Sequence, residues 1–385
     1  MQISQDQRNF LILWYLLQHS TSALQKLLQH FKTPEDALSP KNLSTWQTLK
    51  LHKNHIARFQ QFMSSGDSDF KRIEQKVMQH CDAILLSSDP YYPERLKPFQ
   101  EHIPILFIKG DINVLNRPQI AMVGSRKPSP HGHKLAFDFA DYFAQQSYVI
   151  TSGLAAGIDA AAHQGSLAQG QSIAVVGTGL DQCYPSQHQN LQQQILHCGG
   201  AIVSQFLPET PPIKPNFPKR NYIISALSQA TLVVEASLNS GSLITAKLAA
   251  EQGKYVFAIP GHISAPHHQG CHYLIREGAT LVDHPAQVIE DLNTFSSLPI
   301  TQQIAQQTIQ QPIQKAKPST PVQVKLDQAI PEHLQQVYQH LSWEGISVDH
   351  LASATQLDIQ TLNILLTELE LLGLCVQHAG RYLKQ

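Results

Sequence analysis

The sequence predicts an α/β protein: an extended Rossmann-like fold with a mostly parallel sheet, flanked by a small all-α N-terminal domain and a C-terminal winged-helix-like domain. Three observations carry this expectation. Short β-branched or apolar runs recur between residues 82 and 294, most pairs separated by stretches of helical period, which is how βαβ units with right-handed crossovers read. Runs such as AVVG and TLVVEA are apolar without alternation, as strands covered on both faces are. On either side of that span the period and the composition change.

Residues 1–80 read as short helices. Leu11, Leu13, Leu16 and Leu17 mark one amphipathic face, and Leu24, Leu27, Leu28 and Phe31 mark a second. Thr33 and Pro34 open another helix, with proline at its first position. The strand candidates that follow are 84–86, 105–108, 120–123, 148–151, 173–176, 201–203, 232–234, 256–259 and 280–282. Residues 295–328 are rich in Gln, Thr and Pro with few large apolar groups, the composition of a linker that buries no core. In 330–385, Leu334, Val337, Tyr338 and Leu341 mark one helix, 348–353 a second and 359–372 a third. Strands at 375–376 and 382–383 complete a winged-helix order.

At 385 residues the chain is long enough for two or three domains. A net charge of −1 excludes a broad basic field, so nucleic acid, if bound, meets a local patch. The five cysteines are scattered without a CxxC pair, which suits buried thiols in a reducing compartment. The N-terminus lacks a basic leader, and the apolar run 10–17 is too short to span a bilayer. A cytoplasmic protein without membrane contact is expected.

Five loops carry the chemistry. Gly124, Ser125, Arg126 and Lys127 follow a buried strand and precede a helix near His131, where ligands sit in open parallel sheets. Read alone, this is equally an ordinary βα turn with exposed cations, and it is neither GxGxxG nor a Walker motif. Ser152, Gly153 and Gly157 lie on a second strand-to-helix turn. There Asp159 and His163, spaced i,i+4, can pair to fix the helix start or serve as an acid–base pair. The loop 177–181 has two glycines, with Tyr184 close behind as a flat ring.

The fourth loop, 214–221, packs Lys214, Phe217, Lys219, Arg220 and Asn221 together. Its prolines are expected to keep it extended until a helix near Tyr222. Cations interleaved with an aromatic ring suit a single strand, with charge for phosphate and a ring for base stacking. Gly241 and Ser242 open a helix near Leu243 and read as another anion-binding helix start beside the first two. The cluster His262, His267, His268, Cys271 and His272 fits no standard spacing of metal-ligand doublets, so neither metal nor cofactor is expected.

These blocks together resemble the DNA-processing protein A (DprA, or Smf) family. The matching pieces are GSRKPSPHG, SGLAAGIDAAAHQGSL, GTGLDQCYPSQHQNL, FPKRNYIISALS, VVEASLNSGSLITAKLAAEQGKYVFAIPG and GCHYLIREGA, in family order, preceded by DPYYPERL and IPILFIKG. The resemblance implies an extended Rossmann fold that dimerises, binds single-stranded DNA and loads the recombinase RecA onto incoming strands in natural transformation, with no established enzymatic activity. It places DNA contact on Ser125, Arg126 and 214–220, with Gly241 and Ser242 beside them. It also likens the N-terminal helices to a sterile-alpha-motif-like domain.

Two departures stand out. Tyr222 and Ala226 occupy positions where the family reads RNRIISGLS, which removes an arginine, and His272 replaces an asparagine after Gly-Cys. The winged-helix segment has six acids against Arg381 and Lys384, and its third helix has no Lys or Arg. A groove-reading helix needs cations for phosphate, so this module is expected to contact protein rather than duplex DNA. The rival reading is a nucleotide phosphoribohydrolase-like enzyme with Glu235 or Asp159 as its catalytic acid.

Overall fold

The computed structural model describes residues 3–297, 331–342, 345–372, 374–378 and 381–384. They divide into two compact units, one up to residue 310 and one after it. Apart from residues 295–297, the expected linker 295–328 lies outside the described residues.

The first unit opens with α1 (Gln5–Leu16), α2 (Thr21–His30), α3 (Pro34–Leu38), α4 (Leu43–Thr48), α5 (Lys53–Ser65) and α6 (Ser68–His80). Ser4 and Gln7 form a reciprocal capping box on α1, and the Thr33 hydroxyl caps α3 with Pro34 at its first position. The apolar faces expected for α1 and α2 are the buried ones.

The sheet follows with β1 (Ala83–Leu86), β2 (Ile105–Gly110), β3 (Gln119–Val123), α7 (Pro130–Gln145), β4 (Val149–Ser152), α8 (Ile158–Leu167) and β5 (Ser172–Val175). Then come α9 (Gln189–His197), β6 (Ala201–Ser204), α10 (Asn216–Leu227), β7 (Ala230–Val233), α11 (Ser242–Glu251), β8 (Tyr255–Ala258), α12 (Gln269–Arg276), β9 (Thr280–Leu281) and α13 (Pro285–Ser297). All nine strand candidates overlap observed strands, whose order in the sheet is β1-β2-β6-β5-β4-β3-β7-β8-β9. Pairing is antiparallel only for β1 with β2 and β2 with β6; every other neighbour is parallel. Ile105 and Phe107 enter one core while Leu106 and Ile108 enter another, the period-2 signature of a sheet buried on both faces.

Two features of this unit bear on the site. The core beneath the helical module is continuous with the sheet: Leu11, Trp14 and Phe59 share a cluster with Ile84, Phe107, Val176 and Leu207. In addition, the Trp14 indole donates to the Gln205 carbonyl at 2.8 Å. Second, α10 is closed at its C-terminal end by the Lys254 ammonium, which donates to the carbonyls of Ser225 (2.8 Å), Ser228 (2.6 Å) and Ala226. A cation there meets the negative end of the helix dipole, while burial lowers the lysine to about 7.

The thiols depart in part from expectation. All five are free, and Cys81, Cys271 and Cys375 are buried, but Cys198 is exposed just after α9. No helix among the described residues is long and apolar enough to cross a membrane.

The second unit holds α14 (Glu332–His340), β10 (Ile346–Ser347), α15 (Val348–Thr355), α16 (Ile359–Leu371), β11 (Cys375–His378) and β12 (Arg381–Lys384). Three helices and the expected hairpin are joined by the short strand β10 on the open side of β12, a winged-helix arrangement around Leu334, Leu351, Leu362, Leu366 and Leu369. Burial of these leucines fixes which face of α16 points out. That face carries Gln360, Asn363, Ile364 and Glu368, none of them cationic.

Candidate nucleic-acid interface

In a doubly wound sheet the default ligand position is the crevice where the strand order reverses, here between the carboxyl ends of β3 and β7. This chain fills that crevice with its own carboxylate. Glu235, just after β7, is fully buried and accepts from the Ser129 amide at 3.0 Å and the Ser129 hydroxyl at 2.7 Å, at the N-terminus of α7. A Cβ on Gly132 would stand 2.1 Å from the same carboxylate, so α7 approaches it only through a glycine. Glu235 thus occupies the place a phosphate takes at a helix N-terminus.

The loop between β4 and α8 is filled in the same way. The Asp159 carboxylate accepts from the amides of Gly153 (3.1 Å) and Ala155 (3.4 Å). His163 does not pair with Asp159 as its spacing suggested. Its Nε2 accepts from the Leu154 amide at 3.3 Å, and its Nδ1 meets the Ser172 hydroxyl at 2.7 Å. Both residues serve the 153–155 backbone, and burial pushes the Asp159 acid upward and His163 down to about 3.

What remains open is a cavity of about 110 Å³ lined by the loops after β3, β4 and β5 and the start of α10. Arg220 forms one wall. Its side chain is 5% exposed, and Nη1 donates to the carbonyls of Val175 (2.7 Å) and Gly153. Desolvation lowers it to about 10 while Asp159 supports its charge, so it stays a cation at neutral pH. Phe217 stands at the mouth, with the Arg126 guanidinium 5.5 Å and the Arg220 guanidinium 5.9 Å from its ring centre and Tyr184 at 5.9 Å. Two cations and two rings therefore share one opening.

The segment 214–221 differs from the extended strip expected. Helix α10 begins at Asn216, and Pro218 sits at its third position, where no intrahelical amide bond is lost. The helical turn separates the segment's side chains. It sends Arg220 inward, leaves Phe217 half-buried at the mouth and exposes Lys219, whose ammonium donates to the His19 carbonyl at 3.3 Å. Lys214 is exposed and Asn221 half-buried, both outside the cavity lining.

The other expected site residues take varied places. Arg126 and Gly153 line the cavity. Lys127 is exposed on the turn that the Ser125 hydroxyl closes by accepting from its amide at 3.1 Å. Ser152 is buried and donates to the Met122 carbonyl at 2.6 Å, beneath the floor. Gly124 and Gly157 meet other loops rather than open space: a Cβ on Gly124 would stand 2.6 Å from Ile158, and one on Gly157 2.3 Å from the Ser125 carbonyl. Ser242 is buried against the Ser240 hydroxyl at 2.6 Å, and with Gly241 it falls outside the cavity.

Ala155, Ala156, Gly177, Tyr184 and Pro185 also line the opening. The histidine-rich segment is tied internally, with His272 Nε2 3.0 Å from the Gly261 carbonyl. No group of three or more His, Cys, Asp or Glu among the described residues is placed to hold a metal ion.

Residues 83–293 match the sequence model of a family described as DNA recombination-mediator protein A, and 317–381 match that of the DprA winged helix domain. Protein Smf of Escherichia coli K12 is 44% identical over 210 residues, which span 54% of this chain and 56% of that protein. Protein Smf of Synechocystis is 31% identical over 381 residues, 93% of each chain. The X-ray structure of DNA processing protein A from Streptococcus pneumoniae superposes with a TM-score of 0.62 at 32% identity, covering 75% of this chain and 98% of that one.

Proposed function

Because this chain belongs to the DNA recombination-mediator protein A family, we propose that it binds single-stranded DNA at the Arg126–Phe217–Arg220 opening and delivers it to the recombinase RecA during natural transformation. The observation that carries the DNA reading is the Phe217 ring set between two guanidinium groups and Tyr184. A ring offers a base face for stacking, and a neighbouring guanidinium grips the adjoining phosphate in bidentate fashion. With the α7 N-terminus taken by Glu235 and the loop amides of Gly153 and Ala155 taken by Asp159, phosphate contact falls to side chains, Arg126 first. Ser125, Lys127, Lys214, Lys219, Asn221, Gly241 and Ser242 are candidate flanking contacts along a strand longer than the cavity.

The chain acts as a homodimer through the Rossmann-like unit in this reading. Exposed Leu238, Ile244, Ile263 and Tyr273 lie on or beside α11 and α12, which pack together, and give that unit apolar surface for self-association. A cytoplasmic setting accords with five free thiols. The hydrolase reading gains no support, since Glu235 and Asp159 are buried and bonded to loop amides instead of facing an opening.

The deciding experiment is fluorescence anisotropy of a labelled oligo-dT against wild type and Arg126→Ala at two salt concentrations. Wild-type binding that falls steeply with salt, and weakens roughly tenfold on removing Arg126, is expected. Equal affinity in the two proteins removes Arg126 from the site.

A further inference from the structure

The loops that bring Tyr184 and Phe217 to the opening are stapled to each other. Both oxygens of the Asp181 carboxylate, three residues before Tyr184, accept from the Glu209 amide at 3.0 Å. The Thr210 carbonyl accepts from the Gly179 amide at 3.2 Å and the Gln182 side chain at 2.7 Å. Glu209 adopts φ +67°, a left-handed conformation that a non-glycine residue keeps only when its surroundings impose it.

The N-terminal helices hold the same segment from below. On α6, Arg72 meets the Glu209 carboxylate at 2.9 Å. Lys76 lies one turn further on and meets Glu209 at 3.0 Å and Asp181 at 3.6 Å. From the end of α1, Trp14 holds the Gln205 carbonyl, and His19 Nε2 accepts from the Leu207 amide at 3.2 Å with its ring edge-on to Phe206. The stretch 205–209 thus has four direct polar ties to a module that contributes no residue to the cavity lining.

We infer that the helical module is a splint for the DNA-binding opening, with Arg72 and Lys76 as positioning residues that hold the Tyr184 and Phe217 loops in register through Asp181 and Glu209. Its consequence for DNA rests on the single-strand reading above. The splint itself is a statement about loop order. Exposed ion pairs contribute little to global stability, so removing these two cations leaves the core folded and acts on the loops.

The test uses the full chain with Arg72→Ala and Lys76→Ala combined, compared with the conservative pair Arg72→Lys and Lys76→Arg. Hydrogen–deuterium exchange at 178–184 and 205–215 should accelerate roughly tenfold or more in the alanine variant and return in the conservative one. Oligo-dT affinity should fall roughly tenfold and recover in parallel, at unchanged melting temperature. Unchanged exchange in the alanine variant overturns the splint. Accelerated exchange with undiminished DNA affinity, while Arg126→Ala still loses binding, overturns its link to the opening. If wild type and Arg126→Ala bind alike, the DNA reading fails instead, and exchange alone decides whether the splint exists.

Discussion

Acid should loosen the loops around the opening, because two histidines there, His163 buried and His19 half-buried, accept hydrogen bonds that protonation would abolish. His19 Nε2 takes the Leu207 amide and His163 Nε2 takes the Leu154 amide, so a proton on either ring faces an N–H. Burial is the main reason each lies near 3 instead of the ordinary 6.5. Lys219 and Arg58 add to it for His19, and His188 and Arg220 for His163. Lowered histidines favour folding fully above 6.5, and that stability is lost as pH falls toward 3, since the unfolded chain takes up protons the folded one refuses.

Acidification from pH 7.5 to 5.0 runs about 1.5 pH units below the ordinary 6.5, which costs about 2 kcal/mol per histidine and about 4 kcal/mol together. His55 and His268, also lowered by burial, push the same way. Urea unfolding followed by tryptophan fluorescence measures it. Trp14 lies 5.6 Å from the His19 ring and reports that contact directly. His19→Gln should be less stable at pH 7.5 but lose about 2 kcal/mol less than wild type on acidification. A wild-type loss below about 1 kcal/mol, or a variant with the full wild-type slope, would refute the argument.

Other outcomes follow from the same geometry. Gly153→Ala places a Cβ 2.1 Å from the Arg220 guanidinium and should destabilise the first unit by about 2 kcal/mol or more in a thermal melt. Phe217→Ala removes the exposed stacking face and should weaken oligo-dT binding by about 1–3 kcal/mol while leaving the fold's circular dichroism unchanged. The 331–385 fragment, with its own leucine core, should fold yet show no shift of duplex DNA in a gel, because the outward face of α16 lacks cations.

The strands were legible because their signal is local. Each run declares itself in three or four residues, and Thr33-Pro34 announces a helix start within one turn. The start of α10 was not legible, since Pro215 and Pro218 argue for an extended chain until Pro218 is known to occupy a first-turn position. The two carboxylates were harder still. Glu235 stands 106 residues from Ser129, and nothing in either loop tells that one fills the anion position of the other. Strand β10 escaped because two residues, paired with β12 residues 34 and 36 positions away, have no periodicity to read.

Gly153 and Arg220 also constrain each other's history. A side chain at 153 cannot enter while the guanidinium is there, and removing the guanidinium strips the Gly153 and Val175 carbonyls of their donor. Each single step therefore leads downhill, and only a paired exchange reaches a new arrangement.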